Sequence, residues 1–318
     1  MTGVPAASRR GFGAAVQIWW MGARPRTLGV GAIPVLIGAA ASGHAKALPT
    51  AAALVVAIGL QAGANFANDY FDGVRGVDSA VRVGPRRLTA GGLMPPKAVL
   101  GAAAGCIVVA AAVGLWLAVA TGLVWMLLAG AAALVAALLY TGGPRPYAAT
   151  GVVADVAVFA FFGLMATAGS AAVQGAGVPG RTWWAAVGIG LAAVAVLAAN
   201  NLRDLSTDAA AGRRTLAVRL GDRNAGLLYL ALVVGAVLVP VAGVAAGRLP
   251  VVALAVVLVV PALVGPLRLV RRHAGDARGL TPLLPLTARF HLAVGILLAA
   301  AFFVADLVSG SPLARPLW

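Results

Sequence analysis

Nine long apolar runs follow one another along this chain, at 27–43, 49–71, 97–120, 122–140, 150–173, 182–203, 224–246, 249–270 and 288–308. Short stretches of Pro, Gly and charge separate them. A helix needs about 20 mainly apolar residues to cross a bilayer, so the pattern predicts an all-α integral membrane protein with nine transmembrane helices. No soluble domain fits between the runs, and residues 1–318 read as one intramembrane domain. Composition agrees, since 10% of residues are charged against roughly a quarter in soluble domains.

The basic residues set the orientation. With the N-terminus in the cytoplasm, twenty of the 24 Lys and Arg fall on the cytoplasmic side, and Lys46, Arg181, Arg248 and Arg315 fall outside. That asymmetry is the positive-inside pattern. It also accounts for the formal charge of +15 without a nucleic acid partner, because the arginines are dispersed between spans rather than gathered on one module. Trp116, Trp125, Trp183 and Trp184 then lie near the outer interface, with Trp19 and Trp20 near the inner one. Ser8-Arg9-Arg10 looks like a twin-arginine export signal, but Trp19, Trp20 and Arg24-Pro25-Arg26 interrupt the apolar stretch and cleavage site that such a signal needs, and the pair reads as a cytoplasmic flank. The chain is expected in the cell membrane, multi-pass.

All nine acids are Asp, and five of them fall in two clusters at the cytoplasmic ends of apolar runs. The first is Asn65-Phe-Ala-Asn68-Asp69-Tyr-Phe-Asp72-Gly-Val-Arg75-Gly-Val-Asp78, and the second is Asn200-Asn201-Leu-Arg203-Asp204-Leu-Ser-Thr-Asp208. Asn65, Asp69 and Asp72 share one helical face, as do Asn201, Asp204 and Asp208. Ionisable groups at membrane depth are costly and mark function. Carboxylates so gathered repel unless cations neutralise them. Oxygen ligands without nearby His or Cys favour Mg2+, and the arginines on the same side suit phosphate oxygens. The chemistry expected is that of a metal-bound diphosphate. Salt bridging at helix ends is the bland reading, and two copies of the one-face arrangement weigh against it. Cys106 reads as a small packing residue, and His44, His273 and His291 as loop or helix-end residues.

Asn68-Asp69-x-x-Asp72 with Asp78, and Asn201-x-x-Asp204-x-x-x-Asp208, resemble the two Asp-rich motifs of the UbiA-type intramembrane prenyltransferases. Ala23-Arg-Pro-Arg-Thr-Leu28, Arg82-Val-Gly-Pro-Arg86, Tyr140-Thr-Gly-Gly-Pro-Arg-Pro-Tyr147 and Gly212-Arg-Arg-Thr-Leu-Ala-Val-Arg-Leu-Gly221 are similar to the branch that prenylates 1,4-dihydroxy-2-naphthoate in menaquinone biosynthesis. The resemblance implies nine helices around a central cavity. It implies that Asp69, Asp72, Asp204 and Asp208 hold Mg2+, and that Asn68, Arg26, Arg82, Arg86, Arg145 and Arg213 bind the diphosphate of a polyprenyl donor. Phe66, Tyr70, Tyr140 and Tyr147 are the rings available to shield an allylic cation. Asp78 and Asp155 are placed to orient or deprotonate the acceptor. After Tyr147 this chain reads Ala148-Ala-Thr-Gly-Val-Val-Ala-Asp155, where the family commonly has a Gly-Tyr-x-Gly-Leu-Gly run before its acid. A secondary transporter, the rival from another class, calls for acids at the bilayer midplane and inverted repeats. Here the acids gather at one face, and the two halves show no evident repeat.

Overall fold

The computed structural model describes residues 12–76, 87–143 and 146–310. Helices make up the regular structure of the described residues. They are α1 Phe12–Ala23, α2 Pro25–Ala41, α3 Ala47–Val74, α4 Pro96–Thr121 and α5 Trp125–Thr141. After a short turn at Tyr147–Ala149 come α6 Val152–Ala176, α7 Gly180–Arg203, α8 Leu205–Ala210, α9 Leu216–Ala245, α10 Val251–Arg272 and α11 Leu283–Val308.

Seven helices among the described residues are long and apolar enough to cross a membrane: α3, α4, α6, α7, α9, α10 and α11. The other two apolar runs form α2 and α5, each of 17 residues. The chain is a multi-pass membrane protein. Helix α9 starts earlier than its apolar run, because the polar stretch from Leu216 to Arg223 also coils, with Gly221 at a φ of 73° breaking its path. Helix α1 has no counterpart among the apolar runs. It packs its Trp19 ring edge-on against Phe66 of α3, with 5.7 Å between centroids.

Helix starts follow local chemistry. Pro25 and Pro96 open α2 and α4, where a missing N–H costs nothing. Gly122, at a φ of 70°, closes α4 and donates its N–H to the Ala118 carbonyl. Helix α6 loosens into π-type turns over Phe159–Met165 and Ala172–Ala176, a distortion often found beside functional sites.

Helix α7 is the buried axis of one half. Ile189, Ala192, Ala195 and Ala199 pack with Ile33 and Ile37 of α2, Tyr229 and Val233 of α9, and Phe290 and Phe302 of α11. Small residues set the spacing, as expected where lipid supplies no hydrophobic drive between helices. A Cβ on Gly190 would sit 2.9 Å from the Phe159 ring and 3.1 Å from the Gly163 Cα, so the α6–α7 contact requires glycine. Outward, α4 and α5 present Val108, Val109, Trp116, Val119, Leu128 and Leu138, the apolar girdle that a lipid-facing surface needs. His291 departs from its sequence reading: it lies inside α11 and is fully buried, and neither ring nitrogen has a hydrogen-bond partner. Phe290, Val294 and Leu298 of the same helix are buried with it, so position 291 lies on the inward part of α11.

Candidate active site

A cavity of about 590 Å³ runs between the helices. At one end its wall holds Asn68, Asp69, Asp72, Asp204, Asp208 and Arg213, so both Asp clusters meet there. From that mouth the wall continues along α3, α4 and α5 as an apolar sleeve that reaches Leu117, Trp125 and Met126. Asp72 and Ala53 both line it, and 19 residues of helix separate them, about 28 Å at 1.5 Å per residue.

The four acids are held in three different ways. Asp69, 2% exposed, accepts the backbone N–H of Leu88 at 2.9 Å and of Thr89 at 2.8 Å, one on each carboxylate oxygen. Asp204 is gripped by its neighbour Arg203, with Nε at 2.7 Å from one oxygen and Nη2 at 2.6 Å from the other. The same Nη2 donates to Asn200 Oδ1 at 2.9 Å. Asp72 and Asp208 share one cation: Arg213 places Nη2 at 2.9 Å from Asp72 Oδ1 and Nη1 at 3.5 Å from Asp208 Oδ1. Burial pulls the Arg213 pKa down, but the charges of Asp72 and Asp208 outweigh it and leave the guanidinium above its ordinary range.

Among the described residues, no three of the His, Cys and Asp side chains converge tightly enough to cage a metal alone. The donor chemistry nevertheless fits Mg2+, which is commonly held by one or two carboxylates and completed by water and substrate phosphate. Asp72 and Asp208 are the pair that the Arg213 guanidinium already bridges.

The neighbouring polar groups are fixed by long-range contacts. Asn68 accepts from the Thr141 hydroxyl at 2.5 Å, and Asn65 donates to the Ala23 carbonyl at 2.8 Å. Arg75 donates to the Thr141 carbonyl at 2.6 Å and lies 5.3 Å from the centroid of the Phe71 ring. The Thr141 contacts tie the end of α3 to the end of α5, and the Asn65 contact ties α3 to the end of α1. The Tyr140 and Tyr147 rings meet edge to face at 5.3 Å on the cavity wall. Tyr147 donates its hydroxyl to the Ala136 carbonyl at 2.8 Å, and burial pushes its pKa up to about 12.

Sequence expectations divide here. Asn68, Asp69, Asp72, Asp204, Asp208, Arg213, Tyr140 and Tyr147 are brought to one cavity. Arg26 is exposed and is not on the cavity wall, whereas Arg24 is. Arg24 is the one non-glycine with positive φ among the described residues, at 55°, and its carbonyl accepts from the Thr27 N–H and hydroxyl. That left-handed turn, rather than helical periodicity, decides which arginine faces inward. Asp155 is buried in the first turn of α6, with Oδ2 lacking a hydrogen-bond partner, and is not part of the wall. Phe66 and Tyr70 pack on Trp19 and Phe71 instead of lining the cavity. Phe161 and Phe162 of α6, which the sequence reading passed over, do line it. The run Phe159-Ala-Phe161-Phe162, one turn beyond Asp155, was the available signal. Asp78, Arg82, Arg86 and Arg145 lie outside the described residues.

A bundle of apolar helices with carboxylates and guanidiniums at one mouth and a greasy sleeve behind defines a membrane-embedded transferase for substrates with a charged head and an apolar tail. The profile of the UbiA prenyltransferase family matches residues 31–280, and the chain belongs to that family. It is 44% identical over 220 residues to the 1,4-dihydroxy-2-naphthoate octaprenyltransferase of Mycobacterium tuberculosis, covering 67% of this chain and 73% of that one. It is 36% identical over 227 residues to the protein of the same name from Escherichia coli, covering 69% and 73%. Its fold is similar to that of an Archaeoglobus fulgidus UbiA homolog solved with DMAPP and Mg2+, with a TM-score of 0.64 and 16% identity over 89% of this chain and 99% of that one. A UbiA homolog from Aeropyrum pernix gives a TM-score of 0.60 at 19% identity, over 87% and 97%.

Proposed function

We propose that this protein transfers a polyprenyl group from polyprenyl diphosphate to 1,4-dihydroxy-2-naphthoate, with loss of diphosphate and CO2, on the way to menaquinone. The observation that carries this reading is the meeting of both Asp clusters with Arg213 at the mouth of an apolar sleeve. Kinship with relatives named for that reaction supports the acceptor.

Asp72 and Asp208 are the residues that would hold Mg2+, with Asp69 and Asp204 beside them. The metal would neutralise charge on the departing diphosphate. Arg24, Arg87 and Arg213, all on the wall, supply positive charge to the same group, together with Arg82, Arg86 and Arg145. Asn68, tethered by Thr141, orients a phosphate oxygen through its amide. Preorganised charge of this kind acts where charge develops in the transition state. As the allylic C–O bond breaks, its electron pair leaves with diphosphate, and the faces of Tyr140, Tyr147, Phe161 and Phe162 shield the carbon cation. A ring carbon of the acceptor donates its pair to form the new C–C bond. The carboxylate departs as CO2, its bonding pair returning to the ring at the quinol level of demethylmenaquinone. Asp78 holds the acceptor's hydroxyl groups.

In this reading nine helices cross the cell membrane, the N-terminus is cytoplasmic, and the charged mouth opens to the cytoplasm where both substrate heads are soluble. The positive-inside distribution of Arg and Lys supports it. The experiment is to incubate purified protein with Mg2+, a polyprenyl diphosphate and a panel of aromatic acids, and to identify products by mass. Prenylated, decarboxylated naphthoate is expected. Product from 4-hydroxybenzoate in its place would move the protein to another branch.

A further inference from the structure

Arg213 occupies an unusual position for a phosphate ligand. Its two terminal nitrogens are directed at Asp72 Oδ1 and Asp208 Oδ1, one carboxylate from each cluster, on segments 141 residues apart at the Asp72 contact. Its side chain keeps 23% of its surface exposed, while those of Asp72 and Asp208 keep 7% and 10%. The guanidinium is therefore the most open of the three groups to an anion entering the cavity. A cation drawing on Asp72 and Asp208 draws on oxygens that Arg213 already uses, and two positive charges a few ångströms apart repel in a partly buried site.

We infer that Arg213 competes with the divalent cation for Asp72 and Asp208, and that the diphosphate relieves the competition by giving Arg213 a new anionic partner. This rests on the reading of Asp72 and Asp208 as metal ligands. Metal and diphosphate then bind as a unit: each raises the affinity for the other, because both favour the same turned position of one side chain. The device disfavours metal without donor and keeps the carboxylate pair neutralised between turnovers. Asp69 and Asp204 take no part in it, since their oxygens are engaged by the Leu88 and Thr89 amides and by Arg203.

The test is direct binding of Mn2+, followed by electron paramagnetic resonance on full-length protein in nanodiscs, with and without a non-ionisable thiolodiphosphate analogue of the donor. Arg213→Gln should bind Mn2+ about tenfold more tightly than the parent when no analogue is present, since one repelling charge is gone. The gain in Mn2+ affinity on adding the analogue should shrink by a similar factor. Arg213→Lys, which keeps the charge but reaches one carboxylate at a time, should fall between the two, and it carries the test if the Gln variant fails to fold. Unchanged or weaker Mn2+ binding by both variants without analogue would overturn the competition. Asp72→Asn in the same assay separates the two layers: if it leaves Mn2+ binding intact, the metal assignment itself fails.

Discussion

Asp69 holds the backbone N–H of Leu88 at 2.9 Å and of its neighbour Thr89 at 2.8 Å, so a carboxylate of the first Asp cluster docks the returning chain onto α3. Leu88 is fully buried, and Arg87, one residue earlier, lines the cavity. The contact thus fixes a cavity arginine through the main chain.

Replacing Asp69 by Ala should therefore destabilise the fold as well as the chemistry. Hydrogen bonds to a charged group contribute about 1.5–3 kcal/mol each, and two backbone amides would lose their acceptor, so a loss of roughly 3–6 kcal/mol is expected. Thermal unfolding in detergent checks it. An unshifted Tm would show that the contact is dispensable.

Asp72 and Asp208 behave differently in this account. Asp72→Asn and Asp208→Asn should each cut kcat by about 10²–10³, the scale of losing one electrostatic stabiliser of the transition state, while the protein stays inserted and keeps its Tm within a few degrees. Steady-state kinetics beside a melting curve separates this from the Asp69 effect. Full activity in either variant at saturating Mg2+ would remove that residue from the site.

The buried pair of Arg203 and Asp204 gives a stability prediction. Their side chains are 3% and 6% exposed, and removing one partner of such a pair leaves an under-compensated charge, a cost of about 3–5 kcal/mol. Arg203→Met should show that loss, and the double variant Arg203→Met with Asp204→Asn should recover part of it. Equal destabilisation of the single and double variants would mean that the pair is not coupled.

The tyrosine pair can be tested through its rings. Tyr140→Phe and Tyr147→Phe keep the aromatic faces and should stay within a few-fold of parental kcat. Tyr147, pushed up to about 12, is protonated across the working range and serves no base function there. Changing either residue to Ala removes a cation–π contact of about 0.5–2 kcal/mol, roughly a two- to thirty-fold loss. A Phe variant as impaired as its Ala counterpart would shift the role from ring to hydroxyl.

Sequence periodicity placed the apolar helices and gathered the acids at one end, because those depend on runs and spacing alone. What each acid touches depends on more. Asp69 and Asp72 share a helical face, yet one meets the backbone at Leu88 and the other meets Arg213, since partners 19 and 141 residues away depend on how the chain returns. Arg203 and Asp204 were adjacent in plain view, but only the break between α7 and α8 lets neighbours form a bidentate pair. Arg24 replaced Arg26 on the wall through a single left-handed residue, a conformation that residue type does not predict for arginine.

The central claim is that the prenyl group replaces the acceptor's carboxylate. It is tested by supplying 1,4-dihydroxy-2-naphthoate labelled in its carboxyl group, with Mg2+ and a polyprenyl diphosphate, and counting labelled CO2, free diphosphate and prenylated product. The account predicts equal amounts of all three and no label left in the product. Prenylated product that retains the label, or diphosphate release without CO2, would contradict it.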